Sequence, residues 1–179
     1  MGSIYAFDLR RDSTKEVLDA VTRSLKSLPE DKPQWFDGLF ILEHAEELVG
    51  VAFVAAQVYL SGTVSDLSKV AGQELHKSDL LHRGDVVDVF PSVCKVEILD
   101  AGANYWKHHE EWEDWKPNRW NRRTIEILAK VKVDRETEFP CHTIATLLGG
   151  DDYTDLDWLM ETVSVWRRNA MEHLEGSSR

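Results

Sequence analysis

Two cysteines, Cys94 and Cys141, are all that the 179 residues contain, and they form no Cys-x-x-Cys pair. No disulfide framework and no closed thiolate metal site follow from that count. No signal-peptide pattern follows Met1, so the expected compartment is reducing, the cytoplasm. No apolar run approaches the roughly 20 residues that span a bilayer, and no membrane partner is expected. The richest stretch, Leu48 to Leu60, carries Gln57 and is flanked by Glu46, Glu47 and Ser61, as in a buried core helix. Positive charge is also short: Lys and Arg number 21 against 32 Asp and Glu, a net charge of −11. Such a chain has no global attraction to nucleic acid or anionic lipid, so any nucleic-acid contact must use a local basic patch. A Walker loop, a dinucleotide glycine fingerprint and a Gly-x-Ser-x-Gly elbow are absent. So are internal repeats and low-complexity tracts.

What is present reads as one globular domain, residues 1–179 with a core over about 35–174. Hydrophobic residues make up 42% and charged residues 30%, a balance that disordered chains lack. Seven tryptophans supply bulky anchors for a core or an interface.

Apolar spacing predicts a mainly α bundle. Ile4 to Asp12 reads as a strand or an arm. Ser13 and Glu16 form a capping-box pattern ahead of a helix over about 14–28, with Val17, Val21 and Leu25 along it, closed by Pro29. After a linker over 31–34, a long helix runs from about Trp35 to Leu60. Its apolar residues Phe40, Leu48, Val49, Ala52, Phe53, Ala55, Ala56 and Tyr59 cover most of its surface, which marks a central helix. Ser61-Gly62 ends it, and Val64 to Lys77 forms a further short helix. Residues 78–91 are open between strand and loop, because Val86, Val87, Val89 and Phe90 favour strand but Pro91 follows. Ser92 opens a third long helix to about Trp112, with Val93, Val96, Leu99, Ala103 and Trp106 as its stripe. Residues 112–123 read as a loop or broken helix, and Thr124 to Val133 as helix or strand. Residues 135–152 are mostly connection, and Asp155 to Leu174 is the last helix, ahead of a frayed tail.

Chemistry concentrates in Ala103 to Trp112. On a helix, Asp100, Asn104, His108 and Glu111 follow at steps of four, four and three, a polar stripe beside the apolar one. Lys107 sits at its edge. An amide, an ammonium and an imidazole on one face can bind a phosphate and exchange a proton with it. Asp100 is placed to orient His108 or raise its pKa. A solvated face with ordinary ion pairs explains the same spacing. A second segment, Arg168-Asn169-Ala170-Met171-Glu172-His173, puts an arginine and a histidine about 140° apart on a helix of about 3.6 residues per turn. A basic helix end favoured by the macrodipole is the simpler reading of it. Glu43, His44 and Glu47 with His108 suggest a carboxylate–histidine metal site, but bundles that build one use Glu-x-x-His on two helices. The chain has no Glu-x-x-His, and neither metal nor cofactor is expected.

Arg168 to His173 matches the arginine–polar–histidine signature of HEPN domains, and Asn104-Tyr105-Trp106-Lys107-His108 resembles the Asn-x-x-Lys-His segment of HEPN-like helical proteins of bacteria. In the latter, asparagine stands where the family has arginine, the better phosphate clamp. The resemblance implies a helical bundle, often a homodimer, and metal-independent ribonuclease activity in toxin–antitoxin or phage-defence systems. It implies catalytic roles for Asn104, Lys107 and His108, or for Arg168 and His173. Trp112, Trp115 and Trp120, interleaved with Lys116, Arg119, Arg122 and Arg123, are the one locally basic, aromatic stretch, suited to stacking bases and contacting RNA backbone. The alternative is a non-catalytic helical interaction protein, an antitoxin, immunity-type binder or scaffold. It accounts for the acidic charge and for the tryptophans as interface anchors.

Overall fold

A computed structural model describes residues 8–28, 38–112 and 115–177. Residues 4–7 of the strand or arm expected at 4–12, Pro29, the linker at 31–34 and Trp35 lie outside them; of the rest of that segment, Arg11 and Asp12 are helical. Among the described residues the chain is a helical bundle. Its elements are α1 (Arg11–Ser27), α2 (Gly38–Ala71), α3 (Lys77–Leu81), strands β1 (Val86–Val87) and β2 (Phe90–Cys94), α4 (Lys95–His108), α5 (Arg122–Lys130), α6 (Pro140–Gly149) and α7 (Asp157–Ser177), with 3-10 turns at His109–Glu111 and Gly150–Asp152. At the centre α2 packs against α4, with α1, α6 and α7 around α2 and α5 against α4.

Steric exchange sets how closely α2 and α4 approach. The Trp106 ring of α4 lies over Gly50 of α2, where a Cβ would meet it at 1.9 Å. Phe53 of α2 lies over Gly102 of α4, where a Cβ would meet it at 2.9 Å. Each helix thus carries a gap for the other's aromatic ring. Val49, Phe53, Ala56 and Leu60 of α2 and Val96, Leu99 and Ala103 of α4 are all at most 1% exposed, as their wide apolar faces predict.

Several boundaries differ from expectation, each for a local reason. No break occurs at Ser61-Gly62: the two helices expected there are one, ending at Ala71 before Gly72 in the left-handed region (φ 66°). An interior glycine costs a helix about 1 kcal/mol, and Gly62 makes room for Arg10, whose Nε reaches Asp66 at 3.0 Å. By length and composition α2 is therefore long and apolar enough to cross a membrane, against the expectation from uninterrupted runs; 56% of its apolar window is buried inside this fold. Helix α1 starts at Arg11, not after Ser13, because Asp8 turns the chain by accepting the Arg10 N–H at 3.3 Å; Ser13 lies inside the helix without a capping role. Its core residues are Leu18, Val21 and Leu25, while Val17 faces solvent.

Residues 86–94 form a small antiparallel hairpin, so Ser92 is in β2 and does not open a helix. Helix α4 begins instead at Lys95, and its N-cap residue Cys94 donates its N–H to Glu97 Oε2 at 3.0 Å. Of the open segments, 124–133 is helical in α5 as far as Lys130 and turns out of the helix over 131–133. The stretch expected as connection holds α6, with Pro140 in its first turn. The half-buried Glu46 of α2 accepts the N–H groups of Cys141 and His142 at 2.9 and 2.8 Å, closing the α6 N-terminus from another element. The last helix runs past Leu174 to Ser177. Its Trp166 is fully buried, with Nε1 donating to the Leu80 carbonyl at 2.9 Å.

Candidate active site

The polar stripe of α4 starts buried and ends in solvent. Asp100 is nearly covered, Asn104 half-buried, His108 and Glu111 exposed. Its buried end is organised by Gln57 of α2, which is 7% exposed. Lys107 Nζ donates to Gln57 Oε1 at 2.6 Å, and Gln57 Nε2 donates to Asp100 Oδ1 at 2.8 Å and to Asn104 Oδ1 at 2.9 Å. Lys77 of α3 donates to the same Asp100 oxygen at 2.6 Å.

These polarities are forced. An ammonium only donates, so the Gln57 oxygen must face Lys107 and its NH2 must face Asp100 and Asn104. Asn104 therefore answers with its oxygen, and its own NH2 is turned away from Gln57. A cation on one side thus sets which atom an amide shows on the other. Burial holds the Lys107 ammonium below the usual lysine pKa, with neighbouring Lys77 acting in the same direction and Asp100 opposing.

Asp100 does not orient His108, as the stripe suggested; its oxygens serve Gln57 and Lys77. The carboxylate beside His108 is that of Glu111, with Nδ1 and Oε1 3.5 Å apart.

Asn104 and His108 share the wall of a groove of about 620 Å³, together with Glu111, Trp112, Asn118, Trp120, Asn121 and Thr124. Lys107 is not in that wall; it stands beside it, turned to Gln57. The far side rests on a reciprocal asparagine turn. Asn118 Oδ1 accepts the Trp120 N–H at 2.7 Å, and Asn121 Oδ1 accepts the Asn118 N–H at 2.7 Å. Buried Asn121 also donates to the Lys116 carbonyl at 3.2 Å. This turn holds Trp120 out at 80% exposure with the Arg119 guanidinium 4.2 Å from its ring centre, a cation–π contact.

The other two tryptophans of the basic stretch turn inward. Trp112 and Trp115 pack edge to face at 5.5 Å, and each lies against Tyr105. Trp115 holds a left-handed backbone (φ 53°), uncommon for a bulky residue. Only Trp120 is thus an open stacking platform, with Trp112 contributing to the groove wall. Arg122 and Arg123 are exposed on the first turn of α5.

Arg168 and His173 lie on α7 and are not among the residues lining this groove. Arg168 is exposed, His173 Nε2 is 3.2 Å from Arg83 Nη2, and Asn169 donates to the Arg83 carbonyl at 3.0 Å. The two candidate segments are separate places on the surface. Glu43, His44, Glu47 and His108 are not brought together either. Glu43 and Glu47 line a second hollow with Glu46, Glu138, Tyr105, Trp106, His109 and Phe139, and His44 Nδ1 lies 3.1 Å from the Phe40 carbonyl. Among the described residues no group of three or more His, Cys, Asp or Glu is placed to hold a metal ion.

The fold and site define a mainly helical protein with a polar groove on its central helix pair. No family model, curated protein or solved structure matches the chain. Sequence reasoning missed Gln57, Lys77, Asn118 and Asn121. Gln57 carried a signal, as the one polar residue within the apolar run from Leu48 to Tyr59.

Proposed function

We propose that the protein is an HEPN-like ribonuclease of toxin–antitoxin or phage-defence type, acting as a homodimer in the cytoplasm. The observation that carries this reading is the convergence of Asn104 and His108 on one wall of a groove with Trp120 on the other. A nucleotide stacked on Trp120 would bring its phosphate toward α4. Asn104 NH2, fixed by Gln57, would donate to a non-bridging phosphate oxygen, and Lys107 beside it would supply positive charge. His108 would accept the 2′-hydroxyl proton as the 2′-oxygen bonds to phosphorus and the bond to the 5′-oxygen breaks. Glu111 would steady the imidazolium. The departing 5′-oxygen takes a proton from solvent, leaving a 2′,3′-cyclic phosphate and a 5′-hydroxyl. The substrate's own 2′-oxygen is the nucleophile, so the route calls on no metal. A homodimer would set two α4 helices across one cleft. Buried free thiols at Cys94 and Cys141 suit the reducing compartment.

The test is cleavage of a mixed RNA pool in chelator, with product ends analysed. His108→Ala should lower the rate about 100- to 10,000-fold, the usual weight of general acid–base catalysis. Its exposed position predicts a stability change within about 0.5 kcal/mol. His173→Ala should cleave like wild type; an equal loss there would move the site to Arg168 and His173. A wild-type protein that cuts no RNA would favour the second reading, a helical interaction protein. The observation favouring that reading is the outer face of α2, where Val51 and Val58, one heptad apart, are 41% and 63% exposed.

A further inference from the structure

Thr124 lies on the first turn of α5 and is only 6% exposed, yet among the described residues no hydrogen bond links its hydroxyl to a protein group. What remains open of it faces the groove, whose wall it lines. A hydroxyl so nearly covered keeps little water, and a ligand group that meets it there removes the cost of leaving it unpaired. Asn118, in the same wall, has its polarity fixed. Its Oδ1 accepts the N–H groups of Trp120 and Asn121 at 2.7 and 3.2 Å, so its NH2 is what it has left to offer. Asn121 is spent on the turn at both ends of its amide. Beside Trp120 the wall therefore presents one pure donor, the Asn118 NH2, and one hydroxyl that can donate or accept.

We propose that Asn118 and Thr124 read the edge of the base that stacks on Trp120, and that they select a lactam edge, a ring carbonyl beside a ring N–H, as in uracil, guanine and hypoxanthine. The Asn118 NH2 donates to the carbonyl oxygen, and the Thr124 hydroxyl accepts from the neighbouring N–H. Adenine and cytosine carry an amine in place of that carbonyl, which would face the Asn118 NH2 donor to donor. The proposal rests on the reading of the groove as a nucleotide site and goes beyond it, to which base the groove takes. It calls on neither a phosphate contact nor His108.

The probes are inosine and adenosine, which share one bicyclic ring and differ only at this edge, so stacking on Trp120 weighs nearly equally on both. As nucleosides they hold no phosphate and cannot be cut, so ribonuclease inactivity with an intact inosine preference would sink the reaction and leave base reading standing. In a titration followed by the Trp120 indole resonance, wild type should bind inosine about three- to tenfold more tightly than adenosine, the weight of about one net hydrogen bond. Thr124→Val removes the hydroxyl and should bring the two affinities together by weakening inosine. Its melting midpoint should not fall, because the hydroxyl has no protein partner to lose. Asn118→Asp keeps an oxygen for the turn and replaces the donor by an acceptor, so it should turn the preference toward adenosine, which keeps the test valid should the Thr124 variant unfold. Trp120→Ala should weaken both nucleosides alike. Equal affinities or an adenosine preference in wild type, a ratio unmoved in both wall variants, or no binding of either nucleoside at millimolar concentration would each overturn the proposal.

Discussion

His142 is a residue whose charged form the fold disfavours. Burial lowers its pKa from the ordinary 6.5, and its ring packs edge-on against Tyr153 at 4.8 Å. The sign follows from linkage. As pH falls through the ordinary histidine range the unfolded chain takes up a proton that the folded His142 resists, so stability falls with it until the lowered folded pKa is passed. Melting midpoints at pH 7 and pH 5 should show a smaller drop in His142→Gln than in wild type; equal drops would remove this residue as a cause. At this scale the sequence was partly legible. The spacing of Asn104 and His108 put them on one side of a helix, and the groove holds both. Asp100 has the same spacing, yet it is spent on Gln57 and Lys77, which lie 43 and 23 positions away. Helical periodicity orders residues within one helix and says nothing of what another helix brings against them.

Among the elements, α6 depends most on a neighbour. Glu46 supplies both carboxylate oxygens to its first turn, while burial raises the Glu46 pKa against those two hydrogen bonds. Glu46→Ala leaves two N–H groups in a partly covered place, and about 1–3 kcal/mol should be lost. Urea unfolding should report it, and Glu46→Gln, which keeps one acceptor, should lose less. A midpoint unchanged in Glu46→Ala would show that water replaces the carboxylate at no cost. The same dependence explains why α6 was not legible: 135–152 has a Pro–Gly frame that reads as connection, and its N-terminal partner lies 95 positions upstream. Gly62 misled for a related reason. Glycine after an apolar run normally marks an end, whereas here it accommodates the Arg10 side chain crossing from before α1.

For the whole molecule, the homodimer remains the decisive question, because a shared cleft needs two copies of α4. Light scattering at micromolar concentration should give about twice the 20.5 kDa chain mass, and a clean monomer would count against a shared cleft. Val58→Asp tests the outer face of α2 as the contact: it should shift the mass toward monomer if that face carries the dimer, and leave it unchanged otherwise. The helical class itself was legible because α2, α4 and α7 carry apolar faces too wide for any partner but other helices.

The two thiols can report on motion. Cys94 caps the start of α4 and Cys141 lies in the first turn of α6, and both are buried. A thiol reagent reaches either one only when that helix start opens. Their alkylation rates therefore clock two separate local openings, one at each helix start. Two unequal rates would mean that one helix start comes loose while the other stays shut; a common rate would mean that the bundle opens as a unit.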